Sequence, residues 1–177
     1  GNGGGVVLRA VDNSSILAIA GTLSVAVGIG ASTGVGGSMG ASVNINTVRN
    51  TIDTHISDTK VVSAGIVDLD SVSNATIWSL AIAGSVGVGV GKPAATTAGG
   101  GAGGQGGTGV GVAISGAVTV NVVDNRTVSY IDQGSHVTSL AGGAVSLDAK
   151  DNTQIMADAG GVSLAVGSGE RTGVGVA

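Results

Sequence analysis

The sequence predicts an all-β fold, a parallel β-solenoid (β-helix) whose units of about 60 residues each form one wide, flattened coil, with about three coils of ~20 residues as the alternative. Three observations predict it. One long motif recurs three times in the same block order. Apolar and small residues alternate with period two, and no segment carries a helical period. Asn and Gly return at the same block boundaries, where bends are expected.

The repeat defines the units. Val6-Val-Leu-Arg-Ala-Val-Asp-Asn-Ser-Ser-Ile16 matches Val67-Asp-Leu-Asp-Ser-Val-Ser-Asn-Ala-Thr-Ile77 and Val145-Ser-Leu-Asp-Ala-Lys-Asp-Asn-Thr-Gln-Ile155. Ser24–Gly30 aligns with Ser85–Gly91 and Ser163–Gly169, and Thr-Gly-Val-Gly recurs at Thr33, Thr108 and Thr172. The chain reads as one solenoid segment with units 6–66, 67–144 and a partial 145–177. A low-complexity insertion, 92–107, interrupts the second unit at one point, as a surface loop at a coil corner does.

Four strand blocks follow in each unit. In the first, Val6, Leu8 and Ala10 share one parity with Val67, Leu69, Ser71 and Val145, Leu147, Ala149. Arg9, Asp68, Asp70, Asp148 and Lys150 take the other, which gives a strand with one wet face. The second block starts at Ile16, Ile77 and Ile155. Ala18, Ser79 and Ala157 continue the inward parity, and Asp158 argues that the opposite face reaches water. Further along, Val25, Val27 and Ile29 oppose Ala26, Gly28 and Gly30. In the third block Met39, Ala41, Val43 and Ile45 match Ile114, Gly116, Val118 and Val120. The fourth, Thr51–Ile56 and Arg126–Ile131, is shorter and more polar.

Composition bounds the core. Phe and Cys are absent, Trp and Tyr occur once each, and 35 residues are Gly. The expected core is therefore Val, Ile, Leu and Ala, with thin layers between sheets. Glycine weakens an isolated strand by roughly 0.5–1 kcal/mol relative to alanine, so its abundance needs a steric reason. A strip without side-chain bulk either admits a second layer closely or leaves a flat surface.

A net charge of −4 with scattered cations argues against nucleic-acid binding. The charge-free run Asn13–Val48 alternates with period two, which argues against a membrane span. No signal peptide opens the sequence, and it starts and stops inside its own pattern, as a piece of something longer does.

Recurrent asparagines form the candidate structural sites. Asn13, Asn74 and Asn152 share one position, Asn46 and Asn121 a second, and Asn50 and Asn125 a third. Asn tolerates bends and, stacked in register, forms amide ladders.

The N-x-x-I start, the S-V-A-V-G-x-G block, T-G-V-G and V-x-x-N-x-V-x-N together resemble the repeat regions of giant bacterial surface proteins. These are the filamentous-haemagglutinin-like adhesins and leukotoxin-type exoproteins. The resemblance covers nearly the whole chain. It implies an extracellular, cell-surface, fibrous and non-catalytic role. The expected partners are neighbouring repeats or copies of the chain end to end, and the surface of a host or neighbouring cell.

The residues point to no catalytic or metal site and to no cofactor. His55 aligns with Tyr130, and His136 has no counterpart, so both read as surface histidines. Asp68, Asp70 and Asp148 would supply oxygen ligands for Ca²⁺, but Arg9 occupies the place of Asp70 in the first unit. Gly99–Gly107 lacks the G-K-[ST] ending of a phosphate loop. A carbohydrate-binding or carbohydrate-cleaving β-helix is the first alternative, disfavoured by the near absence of aromatic rings. An ice-binding solenoid is the second, disfavoured because Thr47, Thr51, Thr54 and Thr59 form no regular array.

Overall fold

The structure, a computed structural model, describes residues 4–93, 106–140 and 142–177; most of the insertion read at 92–107 lies outside them. The fold is a parallel β-solenoid. Thirteen strands run in order: β1 (Val6–Asp12), β2 (Ser15–Gly30), β3 (Thr33–Val48), β4 (Thr51–Ser57), β5 (Lys60–Ser63), β6 (Val67–Ser73), β7 (Thr76–Gly91), β8 (Thr108–Val123), β9 (Arg126–Asp132), β10 (His136–Ser139), β11 (Val145–Asp151), β12 (Gln154–Gly169) and β13 (Thr172–Val176). No helix occurs among the described residues. Each strand pairs with its counterpart one coil away, in the sheets β1-β6-β11, β2-β7-β12, β3-β8-β13, β4-β9 and β5-β10.

Register follows the repeat. Val6, Val67 and Val145 are Cα partners in sequence, as are Leu8, Leu69 and Leu147. One coil thus runs from Val6 to Val67. Sequence reading found four strands per coil. The structure adds a fifth, β5 and β10, four residues each and paired in parallel. Over these strands only Val61/Val137 and Ser63/Ser139 recur, too short a match to mark a strand.

The chain forms two compact units. The first comprises Gly1–Leu17, Asn46–Trp78 and Asn121–Met156. Its core is Ile56, Val67 and Leu69, packed by Val6, Leu8, Val61, Ile131 and Val137. Val67 and Leu69 are fully buried because β6 has a coil on each side. Hydroxyls continue this interior without apolar packing. Ser71 donates to the Val128 carbonyl (2.7 Å), Thr54 lies 2.9 Å from both Ser71 and Ser129, and Ser129 donates to the Asp148 carbonyl (2.6 Å). Partnered this way, buried hydroxyls carry no desolvation penalty.

The second unit comprises Ala18–Ile45, Ser79–Val120 and Ala157–Ala177. Here the expected core of Val, Ile, Leu and Ala holds only for alanine: Ala81, Ala83 and Ala113 are fully buried, and Val, Ile and Leu are not. Glycine backbones of the two long sheets touch. A Cβ on Gly34 or Gly36 (β3) would lie 2.0 Å from the carbonyl oxygen of Val90 or Val88 (β7). A Cβ on Gly87 or Gly89 (β7) would lie 2.1 or 2.0 Å from that of Val112 or Val110 (β8). Gly109 and Gly111 (β8) stand in the same relation to Ser168 and Val166 (β12). β3, β7, β8 and β12 thus each seat between two strands of the facing sheet. The glycine Cα hydrogens face carbonyl oxygens, the geometry of Cα–H···O contacts.

That close approach turns the branched residues outward. Val25, Val27 and Ile29 on β2, and Val35, Val43 and Ile45 on β3, are each at least 60% exposed. Of the two uses open to a strip without bulk, the structure takes the first. Glycine's intrinsic penalty is offset by backbone packing that no other residue permits.

Candidate functional surfaces

The asparagine columns resolve into three arrangements. Asn152 donates through Nδ2 to Asn74 Oδ1, and Asn74 through Nδ2 to Asn13 Oδ1, both at 3.0 Å. These amides form a ladder at the β1–β2, β6–β7 and β11–β12 corners. Asn46 Nδ2 donates to Asn121 Oδ1 at 2.8 Å. Asn50 and Asn125 differ: the Asn50 backbone N–H donates to Asn125 Oδ1 (3.3 Å), while their own amides tie to another corner. Asn50 Nδ2 reaches Asp12 Oδ2 (2.6 Å) and Ser14 Oγ (3.2 Å); Asn125 Nδ2 reaches Ser73 Oγ (3.3 Å) and Thr153 Oγ1 (3.0 Å). The reason is the corner sequence. Asp12-x-Ser14 and Asp151-x-Thr153 fold as local side-chain turns, with the third residue's N–H on the aspartate, and present acceptors to the amide. Asn44 escaped sequence reading; it is buried and donates to the Ala18 carbonyl at 3.0 Å. Its counterpart in the second unit is Thr119, so no recurrence flagged it.

The acidic column on the wet face of β1-β6-β11 is neutralised. Arg9, Asp70 and Asp148 are register partners. Arg9 Nε lies 3.3 Å from Asp70, and Lys150 pairs with Asp148, whose hydrogen bond holds the ammonium proton more tightly than usual. Asp68 sits opposite Val7 and Ser146. Among the described residues no group of three or more His, Cys, Asp or Glu could hold a metal ion.

On the outer face of β4-β9, His55 and Tyr130 are register partners and stack, with centroids 5.1 Å apart and planes 8° from parallel. Asp53 holds both rings: its Oδ1 lies 3.0 Å from His55 Nδ1, and Tyr130 donates to its Oδ2 at 3.3 Å. His136 opens β10 opposite Lys60 and is exposed. The Tyr130 phenol is pushed above its ordinary pKa of 10.0, first by its partial burial and then by the negative charges of Asp53 and Asp132. A raised pKa means that the folded chain holds this proton more tightly than the unfolded one. The associated stability is present below pH 10 and is lost as pH rises through the folded value. Because Tyr130 is the single tyrosine, tyrosinate absorbance reads it alone. Its midpoint is expected above 10, and Asp53→Asn is expected to move it back toward 10. An unshifted wild-type midpoint would contradict this geometry.

The open strand edges form the remaining surface. Among the described residues, β1 to β5 carry backbone edges unpaired on one side, and β9 to β13 on the other. Where β1 and β4 lie open, a cleft of about 490 Å³ is lined by Ala10, Val11, Asp12, Arg49, Asn50, Thr51, Ile52 and Asp53.

No protein-family model, curated protein or solved structure matches this chain. The surfaces themselves are therefore the ground for a functional reading. No helix among the described residues is long and apolar enough to cross a membrane.

Proposed function

We propose that the chain is a structural, adhesive stalk segment of a large extracellular fibrous protein, non-catalytic and built to stack on neighbouring repeats or copies of itself end to end. One observation carries this reading: equivalent side chains meet in register from coil to coil. An exposed row of backbone N–H and C=O groups is a template for another strand. A repeat whose register is set by its own sequence adds the next coil with the same hydrogen bonds, amide ladder and glycine contacts. Such head-to-tail contacts do not close on themselves and generate filaments. The resemblance to surface adhesins and exoproteins supports this role, and a cell-surface location is part of the same proposal.

Negative-stain electron microscopy and sedimentation of the purified chain test it. Rods that lengthen with concentration are expected. Compact particles of constant size at every concentration would overturn it.

A further inference from the structure

The second unit presents an outer face that its own fold does not cover. On β3 the outward residues are Thr33, Val35, Gly37, Met39, Ala41, Val43 and Ile45; on β8 they run from Thr108 through Ile114, Gly116 and Val118 to Val120. Val174 and Val176 of β13 extend the face. None of these residues is charged. Met39 is 72% exposed and Ile114 56%.

Relief on this face is specific. Thr108 N–H bonds the Ser32 carbonyl at one end of the β3–β8 ladder and Asp124 N–H the Val48 carbonyl at the other, so the register is constant. Met39 therefore lies beside Ile114, and Ala41 beside Gly116. The first pair makes a ridge across two strands. The second makes a groove, open enough that a Cβ on Gly116 would meet nothing within 4 Å. Val43 and Val118 bound the groove on its far side. A ridge one row from a groove is self-complementary: a two-fold axis between the rows places the ridge of one copy in the groove of another.

We propose that this face is the interface with a second copy of the chain, the Met39–Ile114 ridge of each copy seated in the Ala41–Gly116 groove of its partner. A copy matches by construction, because its strand spacing and side-chain period are the same. At ~3.3 Å per residue and ~4.8 Å between strands, Thr33–Ile45, Thr108–Val120 and β13 give a footprint of roughly 500 Å². Two copies bury roughly 1,000 Å² together, the size at which interfaces become specific. Uncharged faces whose ridges and grooves match in register interdigitate as dry zippers.

The test is analytical ultracentrifugation of the intact chain with Ala41→Glu, Gly116→Glu and, on the opposite apolar sheet, Gly160→Glu. A two-copy species is expected for wild type and Gly160→Glu, and its loss in both groove variants with unchanged circular dichroism. If a groove variant loses strand signal, Met39→Ser, which removes the ridge, replaces it with the same expectation. A wild-type monomer, groove variants that still pair, or equal disruption by Gly160→Glu would overturn the proposal. So would partition of a monomer into neutral phosphatidylcholine vesicles. Face pairing stops at two copies, whereas end-to-end stacking continues. Where rods also form, pairing is read as a doubled width that the groove variants remove, so either idea can fail alone.

Discussion

Gly89→Ala is expected to destabilise the chain by about 4 kcal/mol or more, or to prevent folding, a loss far beyond the usual effect of adding one methyl group. The site is on β7, the central strand of its sheet. An added Cβ would sit 2.0 Å from the Val110 oxygen, with the Val110 carbonyl carbon and nitrogen at 2.4 and 2.6 Å. All three are backbone atoms of β8, so no rotamer change relieves the clash. The two sheets must separate, and the neighbouring glycine contacts separate with them. Gly160→Ala is the control. It adds the same methyl group to a position on β12, in the same sheet, that meets nothing, and removes backbone freedom from the unfolded chain. It is expected to be neutral or to stabilise by up to about 1 kcal/mol. Urea denaturation midpoints compare the two. Equal effects would mean that the sheets do not touch.

Leu69→Ala is expected to cost about 2–5 kcal/mol, the range for emptying a closed apolar site. Leu69 is fully buried between Leu8 and Leu147, with Ile56 and Val67 in the same cluster. Leu147 occupies the same repeat position on an edge strand and is 44% exposed. Leu147→Ala is expected to cost about 1 kcal/mol, because a partly wet site loses less transfer energy and leaves no closed cavity. Identical repeat positions should thus differ several-fold, and only coil neighbours explain the difference. A Leu147→Ala loss as large as that of Leu69→Ala would contradict the stacked arrangement.

The repeat made the register legible. Matching Val6 with Val67 and Val145 in sequence is the same operation that the hydrogen-bond ladder performs in space. Parity in the first block was legible too, because Arg9, Asp70 and Lys150 mark its wet side. In the glycine blocks, parity separated two faces but left open whether the glycine strip admits a second layer or stays flat. Val25 and Val27 are outside because Gly28 and Gly30 approach Val35 and Thr33 of the facing strand. The signal was present: glycines alternate on both strands of the same coil, Gly28 and Gly30 with Gly34 and Gly36, Gly89 and Gly91 with Gly109 and Gly111. Alternating glycine on one strand is ambiguous, whereas on two consecutive strands it marks a backbone-to-backbone interface.

The asparagine positions were visible as columns, but their bonding was not. Asn13, Asn74 and Asn152 stack amide on amide, whereas Asn50 turns to the Asp12–Ser14 corner. That choice depends on which acceptors another corner of the same coil presents, a tertiary fact that recurrence does not encode. The His55–Tyr130 stack was visible only as an alignment of two unlike rings. Their shared anchor, Asp53, required the side-chain parity of β4 in three dimensions.

The account rests on coils stacked in parallel register, and nuclear Overhauser contacts in the isotope-labelled chain test it most directly. Backbone contacts from Val67 to both Val6 and Val145, together with contacts from the Gly89 α-protons to Val110, are the predicted result. Absence of the Val67 contacts, or an antiparallel pattern of α-proton to α-proton contacts in their place, would contradict it.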